Sequence, residues 1–387
     1  MAGGFCVALE VQRLLFSQTT LDNAWRLYPR GGDLNAPRAS VAANLATVLL
    51  WLQTLGPGLA AAAAVAATAR LLTASLPFGL SEILIAIWLG LLIATARWLP
   101  ASAGAGLRFA QQHVLRLGII LLGARLSLFD VASIGLEAFG LVIVCMAAIF
   151  AFVLVVGHLA NLPSRLVLLI GVGTAVCGNS AIIATAPVIR ADERDVSFAI
   201  ATITLFGTLA VFVYPVLGSA LHLSDATFGV WSGIAVNDTS QVVAASAAYS
   251  PIARDVATVV KLVRNTLMAP LLLLIAFWWN RTVTSGAEGG TARQAALKAF
   301  PLFVVGFLGM ALLRTVGIID PSSARSIDEV AKVCLLIALA GVGLSTRLGL
   351  FRAVGPAPLF LGLGSGTVLA ALSLLAITVL HIAPAVP

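Results

Sequence analysis

Residues 166–189, LVLLIGVGTAVCGNSAIIATAPVI, are long enough to cross a bilayer as a helix, yet Gly171, Gly173, Gly178, Asn179 and Ser180 break the middle. Lipid offers no water to satisfy freed N–H and C=O groups, so non-helical backbone survives at membrane depth only inside protein or along a polar cavity. The rest of the fold must supply that surrounding, which makes this segment the first candidate transport site.

The surroundings suit it. The chain of 387 residues is 60% hydrophobic and 10% charged, with a mean hydropathy of +1.04, too apolar for a water-soluble domain to cover its own surface. Apolar runs separated by short Pro, Gly or charged breaks predict an all-α polytopic membrane protein of about eleven spans, at 56–76, 80–96, 108–128, 134–157, 165–189, 195–220, 227–249, 255–279, 298–318, 327–347 and 356–382. Residues 39–55 read as an interfacial or lead-in helix, and a twelfth span if they cross. Residues 1–55 then form an N-terminal extension without a cleavable signal peptide, in which Val7 to Phe16 reads equally as an interfacial helix or a disordered stretch.

Lys and Arg set the orientation. In this arrangement twelve fall on the side of the N-terminus, eight on the other and three within spans, which predicts a cytoplasmic N-terminus in the cell (inner) membrane. The net charge of +7 therefore speaks of topology and does not imply nucleic acid. Cys6, Cys145, Cys177 and Cys334 lie far apart, with no CxxC pair or nearby His cluster, so neither a disulfide framework nor a metal site is expected, and no cofactor.

Three weak matches recur in order. Trp88-Leu89-Gly90 parallels Trp231-Ser232-Gly233, His113 to Arg116 parallels Lys261 to Arg264, and Gly171-Val172-Gly173 parallels Gly341-Val342-Gly343. Each pairs a span with the one five later. Because five is odd, the second copy enters from the opposite side, giving two inverted five-helix repeats, spans 2–6 (80–220) and 7–11 (227–382), after an extra first span (56–76). Glycine-broken helices in spans 5 and 10 would then cross near the midplane, with half-helix N-termini favouring an anion.

Polar groups concentrate in spans seven and eight. Asn237, Asp238, Thr239, Ser240 and Gln241 are consecutive inside an apolar stretch and cannot all face lipid. Asp238 reads either as half of an ion pair or as a coupling group that exchanges a proton or cation. Lys261, Arg264 and Asn265 share one helical face, as do His113 and Arg116. The arginines read either as anion ligands, with His113 and Arg116 as secondary attraction, or as partners of acids and snorkelling bases. Cys177 reads first as a packing residue, Pro187, Pro215 and Pro270 as kinks or terminators, and Arg190 to Asp195 as a solvated loop.

GTAVCGNSAIIATAPVI, GIAVNDTSQVVAA followed by KLVRNTLMAP, and the late AGVGLST resemble the YeiH-like sulfate exporter family, from about Pro57 to the end of the last span. That resemblance implies membership of the bile acid, arsenite and riboflavin transporter superfamily, a fold of paired five-helix inverted repeats with crossed discontinuous helices, and export of a small inorganic or sulfur-containing anion. Many members carry His-Glu where this chain has Asn237-Asp238, so the acid is kept and the imidazole is not.

The expectation is a secondary active transporter of a small anion such as sulfate or a related sulfur oxyanion or sulfonate. Gly173, Thr174, Cys177, Gly178, Asn179, Ser180, Gly341, Gly343 and Ser345 would form the midplane site, bordered by Asn237 and Gln241. Lys261 and Arg264 would add positive potential and Asp238 would couple. A sodium- or proton-coupled carrier or antiporter using Asp238 is the alternative, and a passive channel another. The enzyme class lacks HExxH, GxSxG and a second intramembrane carboxylate to pair with Asp238. Partners are the substrate anion, a coupling proton or sodium and the bilayer, and a homo-oligomer is compatible with all of this.

Overall fold

The computed structural model describes residues 37–75, 81–100, 102–282, 302–346 and 356–380. Residues 1–36, which contain the expected interfacial helix, lie outside the described residues, as do the start of the ninth expected span and the end of the last. All described elements are helical. They are α1 (Pro37–Ser75), α2 (Glu82–Thr95), α3 (Ala103–Phe109), α4 (Leu115–Leu122), α5 (Leu128–Leu159), α6 (Ser164–Ala175), α7 (Asn179–Thr185) and α8 (Glu193–Ala220). After these come α9 (Asp225–Ala235), α10 (Thr239–Tyr249), α11 (Pro251–Thr266), α12 (Met268–Thr282), α13 (Leu302–Thr315), α14 (Pro321–Ser345) and α15 (Pro356–Leu380). A π-helical turn, Ala110–Val114, joins α3 to α4. The expected lead-in helix and first span are one continuous helix, α1.

Among the described residues, five stretches are long and apolar enough to cross a membrane: Gln53–Ala74, Ala138–Leu159, Glu193–Ala220, Pro251–Trp279 and Pro356–Leu380. A sixth is added if Ala103–Arg125 and Leu128–Leu136, bent by 105°, count together. Helices α2, α6 and α13 are shorter apolar elements. The chain is a multi-pass membrane protein.

Two expected spans are not through-going helices. Segment 165–189 is a helical hairpin. Arm α6 runs parallel to α8, since Arg165 pairs with Asp192 at 3.7 Å and Gly173 packs on Ile203. Arm α7 runs back, with Asn179 beside Thr204 and Ala191 N–H bonded to Ala186 O. Segment 227–249, expected to be unbroken, repeats the design. Gly229 and Gly233 of α9 pack in parallel on Val256 and Val260 of α11, while α10 returns, with Thr239 beside Asn265 and Ser250 capping α11. The hairpins enter from opposite ends of α8. We call the end at Arg165 and Asp192 proximal and the other distal.

The expected break in span 10 is absent, because α14 is helical through Gly341 and Gly343 to Ser345. Its glycines serve close packing: a Cβ on Gly343 would lie 3.0 Å from Ile87 Cα of α2. The five-later pairing of broken helices therefore does not hold. The repeating unit is a hairpin followed by a long helix, α6–α7 with α8 and α9–α10 with α11–α12.

The helices sort into two bundles. Helices α5 to α12 and α15 surround the hairpins, while α1 to α4, α13 and α14 pack together beside them. The bundles touch chiefly through α5 with α13 and through α10 with α2 and α14.

Candidate functional site: two hairpin tips

Local chemistry explains where each hairpin turns. In the first, Gly178 takes φ +64° and its N–H bonds Gly173 O at 3.0 Å, closing α6 in the left-handed conformation that glycine adopts freely. A Cβ there would also sit 3.2 Å from Asp238 Cα, so the tips are in contact. In the second, α9 stops at Val236, and Asp238 restarts the helix as N-cap of α10 by accepting from Ser240 N–H at 2.9 Å and Ser240 Oγ at 2.7 Å.

Arms α6 and α9 end facing each other with carbonyls that have no helical partner. Lys261 and Arg264 of α11, both fully buried, satisfy them. Lys261 Nζ donates to Val176 O at 2.9 Å, to Val236 O at 3.2 Å and to Asn237 O. Arg264 donates through Nε to Ala175 O at 2.8 Å, through Nη1 to Ile234 O and Val236 O, and through Nη2 to Thr174 O. Each cation thus bonds both hairpins, at the negative ends of two half-helices. Their donors are engaged by backbone, and among the described residues neither forms an ion pair with an acid.

The return arms are tied in a matching way. Asn179, first residue of α7, donates to Thr204 of α8 at 3.1 Å, and Asn265 of α11 donates to Thr239, first residue of α10, at 3.3 Å. Gln241 donates to Thr204 O at 3.2 Å, its amide filling the space that Gly207 leaves open. Several buried amide atoms have no hydrogen-bond partner among the described residues: both ends of Asn237, Oε1 of Gln241 and Oδ1 of Asn265. Asp238, Thr239 and Asn179 are half-buried and Ser180 is exposed. The tips therefore hold two buried cations, one carboxylate and unsatisfied amides at one locus. Among the described residues no group of His, Cys, Asp and Glu could hold a metal.

Most of the residues picked from sequence meet here: Gly173, Thr174, Cys177, Gly178, Asn179, Asn237, Asp238, Gln241, Lys261 and Arg264. Thr174 Oγ1 lies 3.3 Å from Ser365 Oγ, and Cys177 Sγ packs 3.2 Å from Met268 Sδ, as a packing residue would. The late residues sit elsewhere. Gln111, in the π turn, donates to Gly341 O at 2.8 Å and to Ser345 Oγ at 2.6 Å, within the second bundle. His113 stacks on Phe109 and Arg116 lies over the Phe303 ring, also in that bundle. Sequence reasoning missed Thr204, Gly207 and the buried acids Asp255 and Asp328. A surface depression of about 420 Å³, lined by Pro187, Arg190 and Glu193 among others, lies at the α7–α8 turn, away from the tips.

A family model described as "Conserved hypothetical protein 698" matches residues 57–362. A UPF0324 membrane protein of Pseudomonas aeruginosa is 35% identical over 325 residues, covering 81% of this chain and 91% of the relative. The chain belongs to this family. A UPF0324 membrane protein of Yersinia pestis is 34% identical over 294 residues, covering 74% and 81%, and one of Bacillus cereus is 34% identical over 294 residues, covering 75% and 85%. The matched region holds both hairpins and α14 and begins within α1.

Proposed function

We propose that this family member is a secondary active transporter of a small anion, sulfate or a related sulfur oxyanion or sulfonate, working by alternating access around the hairpin tips. The observation that carries the reading is the tip-to-tip meeting of two half-helix hairpins from opposite ends, with polar backbone and side chains buried amid apolar helices. Such a locus is costly to build in lipid, and binding is the function it serves. Lys261, Arg264 and Asp238 sum to one formal positive charge, while the two helix C-termini and the two N-termini at the tips offset each other. An anion neutralises that excess, and a proton taken up by Asp238 matches the site to a dianion, which makes Asp238 the coupling group. Because Lys261 and Arg264 spend their donors on carbonyls, they act on the anion through potential, and direct bonds fall to the Asn237 amide and the exposed Ser180 hydroxyl.

Sidedness follows the hairpins. With 165–189 returning to its starting end, Arg190 and Arg194 join Arg165, which raises the bases on the N-terminal side from twelve to fourteen and leaves six. That stronger bias supports a cytoplasmic N-terminus in the inner membrane.

Purified protein in proteoliposomes should carry labelled sulfate, thiosulfate or a small sulfonate down an imposed gradient, and Asp238→Asn should abolish coupling to a pH gradient while the protein stays folded. Undiminished pH-driven flux in Asp238→Asn would remove Asp238 from the coupling role. A second reading, a sodium-coupled carrier, draws on the unpartnered oxygens of Asn237, Gln241 and Asn265 beside the Asp238 carboxylate, a hard oxygen set suited to that cation. Flux or thermal stabilisation that requires sodium separates the two.

A further inference from the structure

At the distal end, charged side chains from both bundles form one connected network. Arg125, following α4, bonds Asp255 of α11 at 2.8 Å and Asp328 of α14 at 3.4 Å. Arg254 of α11 bonds Asp255 at 2.9 Å and Asp328 at 3.3 Å. Lys332 extends the network to Asp328 at 3.0 Å and Glu329 at 2.7 Å, and Arg70 of α1 approaches Glu329 at 3.9 Å. Arg254 and Asp255 are each about 5% exposed, so the centre of the network is not a solvated surface pair, while Arg125, Lys332, Glu329 and Arg70 form its exposed rim. Two contacts, Arg125 with Asp255 and Arg254 with Asp328, run from one bundle to the other.

The polar contacts gather at the distal end. These two and Leu128 N–H to Thr315 Oγ1 at 2.7 Å join the bundles there. At the proximal end Arg165 and Asp192 pair within the hairpin bundle. Burial matches: residues 228–237 and 240–246 of the distal hairpin are buried throughout, whereas the proximal return arm exposes Ser180, Ile183 and Pro187.

We infer that this network is the distal gate of the transporter: it ties the foot of α11 to α4 and α14, closes the tips from the distal side while the proximal side is open, and must part for the hairpin bundle to move. The partnering is mutual, so the closed gate leaves no buried charge alone, and the open state must hydrate Asp255, Arg254 and Asp328 together. Dispersion contacts slide at little cost, but the buried Arg254–Asp328 contact and the Arg125 contact to buried Asp255 share one carboxylate cluster and break together, which gives the bistability that a gate needs. The purpose assigned to the gate rests on the transporter reading, but its existence is testable without any substrate.

A chain lacking its native cysteines and carrying Ser180→Cys is exposed to a membrane-impermeant maleimide from each side of oriented vesicles. The parent should label from the side of the N-terminus and be protected from the other. Adding Asp328→Asn should raise labelling from the distal side by roughly tenfold or more, the response of a two-state equilibrium that loses a state-specific contact. The charge exchange Arg254→Asp with Asp328→Arg should return the protection, and this arm covers the case in which the single variant folds poorly. Equal labelling of the parent from both sides, no labelling from the N-terminal side, or unchanged sidedness in folded Asp328→Asn overturns the gate. If labelling shifts as stated but the unsubstituted protein carries no anion flux in any condition, the gate stands and the transporter reading falls.

Discussion

At the scale of single residues, the buried cations are structural before they are electrostatic. Lys261 satisfies three tip carbonyls and Arg264 four or more, and a buried carbonyl left unpaired costs about 1–3 kcal/mol. Lys261→Met should therefore lower the unfolding temperature in detergent strongly, with a loss of several kcal/mol by the same reasoning. A variant that melts like the parent yet lacks flux would instead make Lys261 a direct ligand. The sequence located this pair because ionisable residues in an apolar helix are conspicuous. It could not tell that their partners are carbonyls of segments 24 and more residues away, since a backbone acceptor leaves no mark in side-chain identity. Asp255 and Asp328 went unassigned for a related reason: each sits near a span end, where a carboxylate is ordinary, and only their partners show that they are buried.

A separate residue-scale prediction concerns pH. Asp320 caps α14, accepting from Ser322 and Ser323, and these bonds hold its carboxyl below the usual carboxylate range. A carboxyl depressed in the folded state stabilises above its unfolded value of about 3.9, and that contribution is lost as pH falls through the folded value. Asp320→Asn should therefore flatten the fall in unfolding temperature on acidification below about pH 4. Identical pH profiles for the two proteins would show the cap to be idle.

At the scale of elements, glycine has two uses that the sequence presents alike. Gly178 is required by a left-handed turn, and its space is bounded by Asp238, so Gly178→Ala should both strain the backbone by about 1–3 kcal/mol and push the tips apart. Lower unfolding temperature together with lost flux is the expected result, and a fully active, stable variant would contradict the tip contact. Gly341 and Gly343 lie in an equally glycine-rich run, yet α14 stays helical, because neighbouring α2 and Gln111 take up the space and the polar atoms. Helix α9, by contrast, ends with no glycine at the break, at Val236 to Asp238. There the N-capping carboxylate and the Lys261 and Arg264 donors make an interruption tolerable. Polar run and break coincide in this segment, and the run was legible where the break was not.

At the scale of the whole molecule, hairpins replace two crossings, and this changes which loops share a side. A tag or protease site placed between Arg190 and Asp192 should be reached from the same side as one next to Arg165, and one at 221–223 from the opposite side. An arrangement in which 165–189 crosses puts the first two on opposite sides, so the experiment decides directly. The two-bundle division also predicts that bridging Arg125→Cys and Asp255→Cys, whose parent side-chain tips meet at 2.8 Å, with a cleavable thiol-specific cross-linker stops flux reversibly while the protein still binds its ligand. Flux unaffected by a complete cross-link would mean that the bundles need not move apart at the distal end.

The sequence by itself determined the membrane class, the all-helical character and the polar stretches that meet at the hairpin tips. These follow from local composition, because transfer of a residue into lipid depends mainly on that residue and its own backbone. Only the tertiary structure decided that the polar stretches are hairpin tips, which of the two glycine-rich runs is broken, and that distant arginines, lysines and acids are bound to backbone or to one another. Those outcomes depend on which donor faces which acceptor across the bundle, a property of packing that no single segment contains.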